Sequence, residues 1–355
     1  MSGYLYREAR PDDLDGVVRL AAHLDSLNLP ADAEAVAEMI DASVRSFERN
    51  DPDDRTGRFL FVLERTSDGA LLGTSMIVAS HGTTDDPHHA FRVDVEERYS
   101  ESLGELFAHQ TLTLVQSYRP HTELGALVLH PDFRGHPDRL GQGLSFVRFL
   151  FMALHPGRFQ ERVEAELLPP LEADGSSLLW EWLGRPFTRL SYRDADRLSR
   201  GNREFIRSLF PRTPIHTALA PPEVQAVIGA VGMQTRGVAR MLRAAGFRYN
   251  LHIDPFDGGP HFEAHRRAIV PIQQSGVSKF GAAVPSAQGA LRLICRDSGA
   301  TASERRPFAA TIGRCQSGSG GSLFVDRIAA ETLGLVAGEP IYTLPLHSTL
   351  SETAP

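Results

Sequence analysis

The stretch from Leu124 to His155 constrains this chain more than any other. Leu124–Leu129 reads as a strand ended by His130-Pro131, Arg139-Leu140-Gly141-Gln142-Gly143-Leu144-Ser145 as a glycine-rich turn, and Gly143–His155 as a strongly apolar helix. A strand delivered through glycines into a helix start concentrates unpaired backbone N–H groups and partial positive charge at one point. Glycine puts no Cβ between that backbone and an anion, so the turn suits a diphosphate, and Arg134 or Arg139 can add a side-chain contact. A Gly-x-Gly before a helix is equally ordinary turn chemistry, so its neighbours must decide.

The flanking segments give an ordered pattern. Tyr4–Arg10 reads as a strand, with a helix opening near Asp12 and another over Asp32–Arg49. Arg58–Arg65 and Leu71–Ser80 are apolar strands joined by the tight turn Ser67-Asp68-Gly69. A short strand is expected near Val163–Leu168, then proline-separated helical patches through Gly175–Ala230. Thr235–Ala245 has a helical pattern stopped at Gly246, and Phe247–Ile253 alternates as a strand. Gly258-Gly259-Pro260 marks a break. Residues 1–262 are therefore read as one domain with an insertion near 170–232, and residues 263–355 as a small β-rich domain.

Composition excludes several classes. With 42% hydrophobic and 23% charged residues, the 355-residue chain has the make-up of a soluble globular protein. A net charge of -7 argues against a nucleic-acid partner. The charged start lacks the apolar run of a signal peptide, and the longest apolar stretch, Phe146–Leu154, is short and interrupted by Arg148. A cytoplasmic location with no membrane partner is expected. Two cysteines, Cys295 and Cys315, do not make a secreted disulfide framework.

Strand, hairpin, central strand, turn, helix, splayed strand, helix, strand is the order of a GCN5-related N-acetyltransferase-like fold. The expected class is α+β: a mixed, mostly antiparallel sheet flanked by helices. In that frame the anion at the turn is the pyrophosphate of coenzyme A, and Thr235–Tyr249 supplies the helix and strand beside its thiol end. The resemblance then narrows. Asp86-Pro87, Phe91-Arg92-Val93, Leu127–Pro131, Arg148-Phe149, Trp180 with Leu183-Gly184, and Gly246–Tyr249 resemble the arginine N-succinyltransferase family. The most specific match is Asp254-Pro255-Phe256-Asp257-Gly258-Gly259-Pro260. The chain departs from the family where Met-Arg-Gly is replaced by Leu168-Pro169-Pro170, and Val-His by Val231-Gly232.

The resemblance implies transfer of a succinyl group from succinyl-CoA, or another acyl-CoA, to the α-amine of arginine or a related basic amino acid. The acyl-CoA is a co-substrate and no tightly bound cofactor is implied. The chain is expected to work in a homo-oligomer or in a hetero-oligomer with a paralogue; a different amine acceptor and a non-catalytic paralogous subunit are the alternatives. Glu123 is the candidate general base, with His121 as its substitute, and Tyr249 the candidate general acid at sulfur. The backbone of Leu127, Val128 and Leu129 would face the pantetheine and the thioester oxygen, while Arg134, Arg139, Gly141, Gln142, Gly143, Leu144 and Ser145 form the phosphate turn. Arg92, Asp254 and Asp257 are candidates for the acceptor, against the plain readings of a surface salt bridge and of turn chemistry. Asp86-Pro87-His88-His89 offers adjacent histidines that point apart, with no third ligand evident in sequence, so no metal site is expected.

Overall fold

The apolar residues of the early hairpin alternate, and the two sets bury on opposite faces. We describe a computed structural model that covers residues 3–22, 29, 32–49, 51–199, 201, 203–285, 287–296 and 306–346. Strands β1 (Tyr4–Glu8), β2 (Arg58–Arg65) and β3 (Leu71–His81) are antiparallel neighbours. Leu60, Val62 and Met76 face helices α1 (Leu14–Ala21) and α2 (Ala33–Glu48), packing on Val17, Leu20, Val36 and Ile40. Phe59, Phe61 and Leu63 face the other way, toward α3 (Leu140–Leu154), as period-2 alternation requires. The Asp32 carboxylate accepts the Ala35 N–H and caps α2.

The sheet continues through β6 (His121–Leu129), β7 (Arg162–Glu166), β10 (Pro260–His265), β9 (Arg248–Ile253), β4 (His88–Ser100), β5 (Glu105–Ser117) and β8 (Ile215–His216). Every neighbouring pair from β1 to β8 is antiparallel except β6–β7. The mostly antiparallel α+β sheet expected from sequence is thus present. The β4–β5 ribbon is not visible in sequence. Its outer half carries Asp94, Glu96, Glu97 and Arg98, so no buried stripe announces a strand, yet it pairs unbroken from His88↔Ser117 to Ser100↔Glu105. The segment between β7 and β9 packs Trp180, Tyr192, Ile206 and Phe210 into a second core against Phe91 and Phe256.

Five C-terminal strands, β11 (Gly276–Val284), β12 (Ala290–Arg296), β13 (Ala309–Ser317), β14 (Ser322–Asp326) and β15 (Pro340–Pro345), close in the order β12-β15-β11-β14-β13-β12 as a small barrel. Strand β13 also pairs with β1, Tyr6 opposite Ala310, so the barrel is hydrogen-bonded into the main sheet. Cys295 and Cys315 are buried thiols in this barrel, not joined in a disulfide. Cys295 pairs with Ala310 and Cys315 with Ala290, which sets them about five residues, or roughly 17 Å, apart along the ladder and beyond disulfide reach.

Candidate functional site

The sheet is opened at its centre. Strands β6 and β7 pair only at Thr122↔Val163 and Glu123↔Glu164, and beyond Glu123 they part. A bulge assists the separation. The β3–β6 register shifts between Thr74 and Met76, and Ala126 sits at φ 48 with its carbonyl accepting the Thr74 hydroxyl at 2.8 Å. A non-glycine residue there costs about 1–3 kcal/mol, and such strain bends the strand locally. The wedge is the narrow end of a cavity of about 1080 Å³, reached by Gly125, Ala126 and Leu127 of β6 and by Glu166 and Leu167 at the end of β7. Thr235, Val238 and Leu242 line it from the helix Arg236–Ala244 and its approach.

Glu123 sits at the fork. Its Oε2 lies 2.5 Å from Nδ1 of His81, the last residue of β3. Arg203 Nη1 donates to His81 Nε2 at 3.0 Å, which makes Nε2 an acceptor and places the ring proton on Nδ1, facing Glu123. Burial alone would raise the Glu123 pKa; His81, and then His121 and Arg203, outweigh it and bring it well below the usual carboxylate range. Glu123 is therefore an anion that orients His81. His81, Glu123 and Arg203 all line the cavity. His81 was missed in sequence, where the only signal was its place between Ser80 and Gly82 at a strand end.

One guanidinium in this cavity wall has an unusual environment. Arg148, on α3, is 2% exposed, and its hydrogen bonds run to the carbonyl and hydroxyl of Ser145 at 3.1 and 2.9 Å. It forms no ion pair within 4.0 Å among the described residues, and burial lowers its pKa to about 9. A buried cation lining a cleft, with no carboxylate within 4.0 Å among the described residues, can receive an anion brought by a ligand.

The other expected residues are placed as follows. Asp254 and Asp257 line the cavity, yet both also act as turn residues. Asp254 accepts the N–H groups of Phe256 and Asp257, and Asp257 accepts that of Gly259. Burial raises both their pKa values. Leu127 reaches the cavity; Val128 and Leu129 pair with Thr74 and Gly73 and do not line it. Tyr249 packs on Phe262, its phenol raised to about 12 by burial, and it is not part of the lining. His121 is buried with its pKa lowered to about 4 by desolvation, and it faces a smaller cavity of about 390 Å³. Arg92 is half exposed and paired with Asp94 at 2.8 Å, the surface salt bridge.

The glycine-rich stretch needs a correction. Gly141 and Gly143 lie inside α3, which begins a turn earlier than its apolar run suggests. Arg139 takes the left-handed conformation (φ 56) and its carbonyl accepts the Gly143 N–H at 3.0 Å. A Cβ on Gly143 would stand 2.3 Å from the Tyr6 hydroxyl, so this glycine serves helix-to-sheet approach rather than an anion. Arg139 donates to the Leu346 carbonyl, and Arg134 is exposed. Leu144 and Ser145 are buried. Leu140, Gly141 and Gln142 occupy the first turn, where N–H groups have no partner within the helix.

Behind the fork lies a buried polar cluster. His88, His121, His261, Glu164 and Glu166 meet from β4, β6, β10 and β7. Burial, with Glu263 and Glu123 nearby, raises Glu164 to about 8, and burial lowers His261 to about 3.

Comparison with known proteins fits this geometry. A profile described as "Arginine N-succinyltransferase beta subunit" matches residues 4–271. An arginine N-succinyltransferase of Enterobacter sp. (strain 638) is 35% identical over 272 residues, 76% of this chain and 78% of that protein. An arginine N-succinyltransferase subunit beta of Pseudomonas aeruginosa is 31% identical, covering 97% of this chain and 98% of its own. A solved structure, the arginine/ornithine succinyltransferase subunit AI from Pseudomonas aeruginosa, superposes with a TM-score of 0.83 at 29% identity, covering 98% of this chain and 100% of that one.

Proposed function

Since the chain belongs to the arginine N-succinyltransferase family and is an acyltransferase of GCN5-related N-acetyltransferase-like fold, we propose that it moves a succinyl group from succinyl-CoA to the α-amine of arginine. The observation that carries the choice of acyl group is Arg148. A succinyl thioester brings a free carboxylate, and a desolvated guanidinium lacking an anion in the cavity wall is its complement.

In this reading the thioester enters the wedge with its carbonyl oxygen toward the backbone freed between Gly125 and Leu127. Once Arg203 turns from His81 Nε2 to the incoming acceptor, that nitrogen, on a ring oriented by Glu123, takes the proton from the attacking amine. Nitrogen adds to the carbonyl carbon, the C–S bond breaks, and the coenzyme A thiolate leaves with the proton that His81 has taken up. Asp254 and Asp257 receive the cationic end of the acceptor, whose charge would offset the cost of burying these carboxylates. The first turn of α3 receives the pyrophosphate. We place the chain in the cytoplasm, as its sequence leads us to expect; among the described residues no helix is long and apolar enough to cross a membrane.

We also read the chain as one subunit of an oligomer. The β4–β5 ribbon holds Val95, Tyr99, Leu103 and Leu106 at 62–66% exposure near its tip, an apolar patch suited to another subunit. A second reading of the acceptor has its own support. The two departures from the family pattern touch each other: the Gly232 N–H donates to the Leu168 carbonyl at 2.9 Å, and a Cβ on Gly232 would lie 2.5 Å from the Pro169 carbonyl oxygen. Together they form one rebuilt section beside Leu168 of the cavity wall, which favours a different amine, ornithine being the first to try. Thiol release measured over succinyl-, acetyl- and butyryl-CoA with arginine, ornithine and lysine tests both. Turnover with arginine and succinyl-CoA supports the first reading. Turnover only with another amine supports the second, and none with any pair refutes both.

A further inference from the structure

The cluster behind the fork has the form of a coordination site. Glu164 and Glu166 are two apart on β7 and so share one face of the strand. His261 of β10 is the direct antiparallel neighbour of Glu166. His88 of β4 closes the group, with its ring centroid 5.3 Å from that of His261. The nitrogen-to-oxygen separations are 3.5 Å from His88 Nε2 to Glu164 Oε1, 3.5 Å from His261 Nδ1 to the same oxygen, and 3.7 Å from His261 Nε2 to Glu166 Oε1. These are too long for hydrogen bonds. The first two match the edges, about 3.3–3.6 Å, of a tetrahedron whose ligands stand about 2.0–2.2 Å from a central ion; the third is made by the other nitrogen of the same His261 ring, and one ligand atom from each of the four residues lies within 4.8 Å of the others.

Independent of that spacing, the cluster is unsatisfied. His261 is 0% exposed, and neither of its ring nitrogens has a hydrogen-bond partner among the described residues; Glu164 Oε1 and His88 Nδ1 are likewise buried and without such a partner there. Interiors rarely leave several buried polar atoms of one cluster without partners. Glu164 is also held as metal-binding carboxylates are: Asn250 Nδ2 donates to its other oxygen at 3.1 Å, which leaves Oε1 facing the imidazoles of His88, His261 and His121, the last at 3.3 Å. Two carboxylates balance a doubly charged ion. Two imidazoles with two carboxylates select a first-row transition ion such as Zn²⁺ over Ca²⁺ or Mg²⁺, which take oxygen ligands.

We propose that His88, Glu164, Glu166 and His261 form a binding site for one divalent transition-metal ion, Zn²⁺ or a close analogue, which ties β4 and β10 to β7 beside the wedge. The absence of a metal was the expectation from sequence, because His88 shows no third ligand there. The missing ligands come from strands placed next to it only by the fold. His88 and Glu166 line the large cavity, so the ion sits at its wall. This site stands whether or not the acyl-transfer reading does.

The test uses the full chain carrying no histidine tag. Elemental analysis after purification without chelators is expected to give close to one divalent transition ion per chain. After chelation, Zn²⁺ added in a calorimeter is expected to bind one to one and raise the melting temperature. Co²⁺ is expected to give the intense d–d absorption of four-coordinate geometry. His261→Asn and Glu164→Gln are expected to lower Zn²⁺ affinity at least a hundredfold. Asn250→Ala, which touches no metal, is expected to lower it about 10–100-fold. Less than one-tenth of an ion per chain together with no calorimetric uptake overturns the proposal, as does unchanged affinity in folded His261→Asn and Glu164→Gln. If circular dichroism shows both of these unfolded, the wild-type titration and Asn250→Ala decide: one-to-one uptake weakened by Asn250→Ala supports the site, and anything else overturns it.

Discussion

Arg148→Met should make this protein more stable and less selective at once, and the two signs together test why a buried guanidinium is there. Arg148 has its pKa lowered from the ordinary arginine value to about 9 by burial alone, a difference worth on the order of 5 kcal/mol. The sign follows from proton linkage. Between about 9 and the ordinary arginine value the unfolded chain holds a proton that the folded chain has released, so stability rises with pH across that window. At neutral pH both states are protonated and the folded state carries the whole cost. Methionine fills similar space without charge but forfeits the two bonds to Ser145, at about 1.5 kcal/mol each. A net gain of about 2 kcal/mol remains, or about 3 °C in melting temperature for a chain of this size. Activity moves the other way. Loss of a desolvated guanidinium–carboxylate pair costs about 3–5 kcal/mol, which is a fall of roughly a hundredfold to a few thousandfold in kcat/KM for succinyl-CoA. Butyryl-CoA, of similar length and uncharged, should change less than about tenfold. Calorimetric melting and thiol-release kinetics with both thioesters measure these quantities. Equal losses on the two substrates, or a melting temperature that falls, would refute the assignment of Arg148 to the acyl carboxylate.

Three further outcomes are expected. His81→Gln and Glu123→Gln should each lower kcat about 10²–10⁴-fold with KM for acyl-CoA within about threefold, measured by steady-state thiol release; a loss confined to KM would remove them from proton transfer. Gly143→Ala should lower stability by about 1–3 kcal/mol through the Tyr6 clash while the Kd for coenzyme A stays within about threefold; a selective loss of affinity would return Gly143 to the phosphate site. Leu103→Asp with Tyr99→Asp should reduce the sedimentation mass of the protein while leaving its melting transition intact, and an unchanged mass would free the ribbon tip of any subunit contact.

Local chemistry was legible in the residue order, and long-range electrostatics was not. The hairpin over Arg58–Arg65 and Leu71–Ser80, the apolar helix, and the Asp254–Pro260 turn could be read directly, because backbone propensity, side-chain period and turn stereochemistry act over a few neighbours. Even there the helix start was misplaced by a turn, since Arg139 in the left-handed region, not a glycine, closes the approach to it. The β4–β5 ribbon escaped because two strands that pair mainly with each other need no apolar stripe along their outer half.

What a site does depends on which side chains share one desolvated space, and that is set by register between strands far apart in sequence. His81 and Glu123 meet across 42 residues because β3 and β6 pair. The wedge exists because β6 and β7 stop pairing after Glu123, a property of neither strand alone. Arg148 is an ordinary helical arginine until packing removes its water and leaves it, among the described residues, no carboxylate within 4.0 Å, and His88 is half of an uninformative pair until Glu164, Glu166 and His261 arrive from two other strands. The order of residues determined the elements and the family. The folded interior alone decided which charges are stranded, because the cost of losing water is a property of the packed whole.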